Sequence, residues 1–326
     1  MTAGYLELYR SGELAQRLER LKARLAACDL CPRKCGTNRL AGEKGWCRAG
    51  YLPSVASVCA HFGEEPALSG SGGSGTVFFA GCNMACIYCQ NYQISQERAV
   101  LKSGETSFSA LAEKLLWLQE QGCHNINFVS PSHFVPQMVR VVLEAASLGL
   151  TLPLVYNSSG YDSVATLKEL DGIIDIYLPD LRYADEVWGR KLSQAPEYPA
   201  NARAAIREMF RQVGNLKVDD EGVAERGLIV RHLVLPGGLA GSRSSLKWLA
   251  REVSSGVTVS LMSQYHPANQ ARSHPLLSRR ISLEEYRETT GLLEEFGIIN
   301  GWVQEMASAE SYLPDFAREG SPFVPD

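Results

Sequence analysis

Phe79-Ala-Gly-Cys82-Asn-Met-Ala-Cys86-Ile-Tyr-Cys89-Gln-Asn91 overlaps the end of an apolar run, Thr76 to Ala80, and sets three cysteines in one short loop at the spacing C-x3-C-x2-C. An odd set of three thiolates suits a cubane iron–sulfur cluster better than zinc. A structural zinc site wants four closed ligands, whereas three cysteines on a [4Fe–4S] cluster leave one iron open. The competing reading is a surface loop of reduced structural cysteines, but buried structural cysteines seldom cluster at ligand spacing. The stretch also sets the frame of the fold, since a strand that feeds such a loop carries its chemistry at the C-terminal end.

From residue 76 onward, short apolar or β-branched runs alternate with helical stretches. Strands are expected at 76–80, 125–129, 153–157, 173–178, 228–235 and 257–262, and helices at 109–121, 134–148, 162–170, 201–213, 243–254 and 282–296. The strand runs are almost continuously apolar, as in a parallel sheet covered on both faces. Six β/α units predict an α/β chain with a partial (β/α)6 barrel of TIM type. Toward the N-terminus, Leu14, Leu18, Leu21 and Leu25 predict an amphipathic helix over 11–27 packed on the main domain. It leads into Cys28-Asp-Leu-Cys31-Pro-Arg-Lys-Cys35 and, after eleven residues, Cys47. Four thiolates with tight glycine turns can close a zinc site or hold an auxiliary Fe–S cluster. The run C-x2-C-x3-C lacks the paired halves of a zinc ribbon, which leans toward Fe–S, and a reduced, metal-free loop is the competing account. Cys59 reads as a buried thiol. The expected organisation is an N-terminal helix and Cys-rich, metal-binding extension over 1–62, the barrel over 63–300, and a tail over 301–326 that packs on the barrel. The tail runs through Tyr312 and is rich in Pro and aromatic residues; packing is its first reading and a lid its second.

Composition narrows the class. Of 326 residues, 45% are hydrophobic and 21% charged, which fits a soluble globular protein with a substantial core. The formal charge of −4 argues against a broad phosphate-binding surface, so a nucleic-acid partner is not expected. No apolar run reaches the roughly 20 residues that span a bilayer. The chain shows no secretory signal, and nine cysteines in ligand-like groups point to a reducing, cytoplasmic setting.

The strand-end rule nominates the remaining site residues. Ser130, Ser132 and His133 follow the second strand, with helix capping by Ser132 as the alternative. Asn157 and Ser159 follow the third. Asp180 and Arg182 follow the fourth, either as ligand contacts or as an ion pair. Arg231, inside the apolar fifth strand, is costly unless paired and should face the lumen and an anionic partner; His232 points the other way and reads as structural. Gln264 and His266 follow the sixth. His61, Glu64 and Glu65, ahead of Ser69-Gly-Ser-Gly-Gly-Ser-Gly75, either line a pocket beside the cysteine loop or are solvated. The glycine–serine run itself reads as a turn that feeds the first strand.

The cysteine loop resembles the signature loop of the radical SAM superfamily, with Tyr88 at the aromatic position before the third cysteine. Asn83 and Gln90-Asn91 narrow the resemblance to the pyruvate formate-lyase activating enzyme-like branch, over about residues 28–305. The resemblance implies a [4Fe–4S] cluster on Cys82, Cys86 and Cys89 whose open iron takes the amino and carboxylate groups of S-adenosylmethionine (SAM). An electron donor such as flavodoxin or ferredoxin would drive cleavage of SAM to methionine and a 5′-deoxyadenosyl radical, which abstracts hydrogen from a substrate. Where relatives carry Gly-Gly-Glu-Pro for the SAM amino group, this chain has Ser130-Pro-Ser-His133. Asn157 and Ser159 match ribose or methionine contacts. Asp180 and Arg182 resemble an Asp-x-Lys element, with Arg182 or Arg231 toward the SAM carboxylate and Asp180 toward SAM or a cation. Gln264 and His266 fall where relatives place residues near the adenosyl group. The resemblance implies an oxidoreductase, as an activase of a glycyl radical enzyme or as a modifier of another protein, peptide or metabolite. A non-catalytic Fe–S or zinc adaptor is the reading from another class, disfavoured by the acidic balance and by Arg231.

Overall fold

Chain segments with apolar side chains on both faces must be covered on both, and the sheet of this protein shows how. The computed structural model describes residues 2–96, 104–306, 314–318 and 321–323. Its strands are β1 (Val55–His61), β2 (Ser74–Phe79), β3 (Ile126–Val129), β4 (Leu154–Ser158), β5 (Ile176–Pro179), β6 (Lys217–Val218), β7 (Ala224–Leu233), β8 (Thr258–Met262) and β9 (Asn300–Val303). They form one sheet in the order β1-β2-β3-β4-β5-β7-β8-β9, with β6 added to β7. From β2 to β9 every neighbour on this path is parallel; β1 pairs antiparallel with β2.

The helices are α1 (Tyr5–Ser11), α2 (Glu13–Ala23), α3 (Pro66–Ser69), α4 (Tyr92–Ser95), α5 (Phe108–Glu120), α6 (Val135–Ser147), α7 (Val164–Glu169), α8 (Glu186–Ser193), α9 (Tyr198–Val213), α10 (Ser242–Glu252) and α11 (Leu283–Phe296). Strands that run in sequence order with a helix in each crossover carry all those helices on one face, because such crossovers are right-handed. Burial follows that rule. Val77, Phe79, Ile126, Phe128, Tyr156, Tyr177, Val230 and Leu261 join the large core that includes Leu115 of α5, Met138 of α6, Met209 of α9 and Leu249 of α10. The alternate residues face the other way. There Val155, Ile176, Leu178 and Ile229 close on Ala67 and Leu68 of α3, which plugs that side.

The six expected strands and six expected helices all appear, with ends shifted by a few residues. Several features went unpredicted, the short helices α3 and α4 among them. Gly12 takes a left-handed φ of 80° and splits the expected N-terminal helix into α1 and α2, with a 3-10 turn over Arg24–Ala27. Leu14, Leu18, Leu21 and Leu25 are buried as the helical spacing required. Strand β1 lacks clean alternation yet supplies an antiparallel edge. Helix α8, with a Gly inside it, and the exposed strands β6 and β9 also carry no periodic signal. Ser132 does not cap a helix: residues Pro131–His133 form a 3-10 turn, and α6 starts after Phe134. Tyr312 lies outside the described residues. Among the described residues no helix is long and apolar enough to cross a membrane.

Candidate active site

Strand parity gathers polar side chains at the C-terminal end of the sheet. Asn157, Asp180, Arg231 and Ser260 all project from the face that carries Val155, Leu178, Ile229 and Thr258 one step below. All four line a cavity of about 740 Å³, together with Tyr88 and Cys89 from the cysteine loop.

The loop is held from three sides. Ala85 and Ile87 donate backbone N–H bonds to the carbonyls of Ser193 and Leu192, at 3.0 and 2.9 Å, at the end of α8. Asn83 donates through Nδ2 to the Tyr161 carbonyl at 2.6 Å, and Arg33 Nε donates to the Asn83 carbonyl at 2.9 Å. Donors also reach the sulfurs. Met84 N lies 3.3 Å from Cys82 Sγ, Ser193 Oγ lies 3.0 Å and Arg182 Nη1 3.7 Å from Cys86 Sγ, and Ser95 Oγ lies 3.4 Å from Cys89 Sγ. Burial, with the neighbouring Cys86 next, pushes the Cys82 thiol up to about 12 and that of Cys89 up to about 11. Burial therefore favours the protonated form of Cys82 and Cys89. A coordinated cation reverses that balance, because it takes the place of the proton.

As the side chains stand, no three His, Cys, Asp or Glu residues among the described residues are gathered into a metal-ligand group. The donor set nevertheless fits an iron–sulfur cluster: three thiols within electrostatic reach of one another, each with a hydrogen-bond donor near its sulfur, one of them on the cavity wall. Donors of this kind stabilise and tune a bound cluster.

Other nominated residues separate into two groups. Ser130, Asn157, Ser159, Asp180, Arg182, Arg231, Gln264 and His266 line the cavity. Ser132 and His133 are buried and do not line it; His133 Nε2 lies 2.9 Å from the Ala80 carbonyl, behind β2. Burial holds the His133 pKa down to about 4. Ser130 takes a left-handed φ of 56°, which turns the chain out of β3 at the cavity rim. Asp180 accepts from Arg182 Nη2, so the pair bridges β5 to Cys86. Arg231 finds its anionic partners within the chain: Nε donates to Glu65 Oε1 at 2.6 Å, Nη2 donates to Glu65 Oε2 at 2.7 Å, and Nη2 also meets Glu64. Gln264 accepts from Gln304 Nε2 at 3.0 Å, and its carbonyl accepts from Gln90 Nε2 at 3.1 Å. His232 is buried on the opposite face, between the Leu181 carbonyl and Ser242 Oγ at 2.7 and 2.9 Å.

Sequence reasoning missed Tyr183 and Ser193, which back the loop. The Tyr88 and Tyr183 hydroxyls are 2.6 Å apart, and so are those of Tyr183 and Ser193. It expected the tail over 301–326 to pack on the barrel but nominated none of its residues for the cavity. Trp302, Gln304 and Phe323 line the cavity, and the Phe323 ring stacks on His61 at 3.8 Å. No spacing signal marks any of them.

At the N-terminus Cys28 and Cys31 are buried, Cys47 is half-buried and Cys35 is exposed. The turn between them is closed by N–H bonds from Gly36 to the Cys28 carbonyl and from Lys34 to the Cys31 carbonyl, at 3.0 and 3.1 Å. Burial pushes the Cys31 thiol up to about 12. At Cys35 burial works in the same direction, but hydrogen bonds led by Thr37 outweigh it and hold the thiol below its ordinary value. Arg33 stacks over Trp46 at 3.4 Å while it binds Asn83, which ties this turn to the cysteine loop. All nine cysteines are free.

Fold and site together define an α/β protein with a largely parallel sheet and a three-cysteine loop that reaches the wall of a cavity through Tyr88 and Cys89. No family model matches the chain. It is similar to the uncharacterized protein MJ0674 of Methanocaldococcus jannaschii, at 27% identity over 297 residues that cover 90% of this chain and 82% of that one. Among solved structures it can be laid on that of TYW1 with a lysine-pyruvate adduct bound, at a TM-score of 0.43 and 11% identity, over 72% of this chain and 78% of the other. A likeness of that size carries no weight for fold or chemistry.

Proposed function

We propose that this protein is a radical SAM enzyme, built on a partial (β/α)6 barrel, that cleaves SAM reductively and abstracts hydrogen from a substrate. The single observation that carries the reading is the loop of Cys82, Cys86 and Cys89, with donors near its sulfurs and Cys89 on the wall of a large polar cavity. A [4Fe–4S] cluster held there supplies a low-potential electron and an open iron for SAM. The chain's own residues then position SAM and exclude water. Arg182, beside Cys86, keeps its Nε free of partners among the described residues and can donate it to a carboxylate. Asn157, Ser159 and Ser130 offer amide and hydroxyl groups for the ribose or methionine portion, and Gln264, His266 and Tyr88 line the wall for the adenosyl group. The activase of a glycyl radical enzyme and the modification of another protein, peptide or metabolite are both compatible with this machinery. The reduced thiols suit a cytoplasmic setting and an electron donor of the flavodoxin or ferredoxin type.

The four N-terminal cysteines form a second metal centre in this proposal, either Fe–S or zinc. Its support is that Cys31 and Cys47 lie within electrostatic reach of Cys28, and Cys47 of Cys35.

The test is anaerobic reconstitution with iron and sulfide, reduction, and incubation with SAM. The wild-type protein should release 5′-deoxyadenosine and methionine, and the Cys82/Cys86/Cys89→Ala triple variant should release neither. Absence of 5′-deoxyadenosine from reconstituted wild-type protein would sink the enzyme reading. Iron and zinc analysis of the same triple variant reports on the N-terminal centre, which should retain metal.

A further inference from the structure

We propose that the pocket beside Glu64 and Glu65 takes a cationic head group of the substrate, an ammonium or a guanidinium. The inference rests on reading the cavity as the reaction site and deepens that reading.

The loop His61-Phe-Gly-Glu-Glu-Pro66 leaves the end of β1 and passes beneath the C-terminal ends of β7 and β8. It carries two carboxylates into the cavity, and their side chains are only 6% and 5% exposed. One guanidinium serves both. Glu65 meets Arg231 with both oxygens, which is the complete fork of a bidentate pair. Glu64 meets only Nη2, through the N–H that Glu65 leaves over. The Glu64 charge is therefore in excess of the one guanidinium present, at a depth where charges are ordinarily paired.

Among the described residues the surroundings do not supply the missing cation. Arg182, the other guanidinium on the wall, is engaged by Asp180 and directed at Cys86. His61 and His266 face the same space, but burial holds both toward the neutral form. Among the described residues of the wall, four carboxylates, Glu64, Glu65, Asp180 and Glu305, stand against two guanidiniums. A second feature marks this space as a ligand site. Asn157 and Ser159, each 7% exposed, line the same cavity, and their side chains have no hydrogen-bond partner among the described residues. Their polar atoms open onto the cavity and are left to a ligand or water, and the buried Nδ1 of His266 on the same wall has no partner among the described residues either. A ligand that spans from them to Glu64 satisfies both the polar groups and the surplus charge.

The experiment uses the full-length protein, reconstituted with its cluster, and calorimetric titration with the blocked tripeptide Gly-Lys-Gly and its Nε-acetyl and Nε-succinyl forms. These three probes share a backbone and carry a positive, neutral or negative head. The cationic probe should bind at least about tenfold more tightly than the neutral one, and the anionic probe should not bind. Glu64→Gln should abolish the preference and Glu64→Lys should reverse it toward the succinyl form. Thermal melts of both variants establish that they fold, and the charge-reversal pattern keeps the comparison decisive if Glu64→Gln is poorly stable. Equal binding of the three probes, binding of none, or an unchanged preference in both variants overturns the proposal. Binding is read without turnover. A protein that binds the cationic probe but yields no 5′-deoxyadenosine keeps the pocket and loses the radical reading, and the converse result keeps the reading and loses the pocket. SAM also bears an ammonium and is titrated separately. Loss of SAM affinity in Glu64→Gln, with probe binding intact, assigns the charge to SAM and overturns the substrate role.

Discussion

Arg231 sits on an otherwise apolar stretch of β7, where an unpaired guanidinium is not tolerated, and two buried glutamates answer it. Removal of the cation leaves both carboxylates buried without a partner. Arg231→Met should cost about 3–5 kcal/mol by urea unfolding at neutral pH. Burial works to raise the Glu65 carboxyl, but Arg231 outweighs it and holds the group below the usual range. In the wild type that contribution is present above the unfolded carboxylate range and is lost as pH falls through the folded value. In the variant Glu65 has lost that support and protonates more readily, so the deficit should shrink as the pH is lowered. A deficit independent of pH would show that packing, not charge, fixes Arg231. His232 gives a pH signal of the same sign from a different cause. Its pKa is depressed by burial to about 4, against the usual 6.5. Below pH 6.5 the unfolded chain takes up a proton that the folded chain refuses, so this residue removes stability as pH falls from about 6.5 to about 4. The slope reaches about 1.4 kcal/mol per pH unit at full difference. Asp175 runs against it, since burial raises its carboxyl to about 6 and favours the folded state at lower pH. His232→Gln should flatten the acid limb of the stability profile, as read by thermal melts across that window.

At the scale of elements, β9 decides how the cavity is walled. Gly301 has φ of 130°, and a Cβ there would lie 1.9 Å from the Val259 carbonyl oxygen of β8. Only glycine allows the two backbones to meet in register. Gly301→Ala should cost about 1–3 kcal/mol from backbone strain and should displace Trp302 and Gln304, so Trp emission should change, and with it, on the proposed function, the affinity for SAM. The pattern of legibility follows from the same physics. Strands β2, β3, β4, β5, β7 and β8 are buried on both faces, so their apolar runs stand out in the sequence. Strand β9 is mostly exposed and short, and β1 is an edge whose pairing comes from β2, so neither carries a local signal. Helix α8 holds the cysteine loop through backbone carbonyls, which any residue provides.

Across the whole molecule, the N-terminal segment is part of the support for the site. Tyr5 donates its hydroxyl to the Leu150 carbonyl at 2.9 Å, Gly4 N donates to Asp175 Oδ1 at 2.9 Å, and Leu18 is buried against the same core. Leu18→Ala should destabilise the entire chain by about 2–5 kcal/mol in one cooperative transition. Arg33→Ala should leave the fold intact but loosen the grip on Asn83, with less iron retained after desalting. Separate unfolding of the N-terminal segment in either variant would contradict this coupling.

The sequence by itself determined the α/β alternation, the parallel strands and the three-cysteine loop, because these depend on side-chain periodicity and ligand spacing within short stretches. It also placed Asn157, Asp180, Arg231 and His266 at strand ends, since strand parity and the site-at-the-C-terminal-end rule act locally. What Arg231 pairs with was decided only by the tertiary structure, which brings Glu64 and Glu65 to it across 166 residues or more. The same holds for the hydroxyl chain from Tyr88 through Tyr183 to Ser193, and for Phe323 over His61. Such partners are chosen by packing between distant segments, and no local pattern encodes which of two buried groups will be the neighbour of a third.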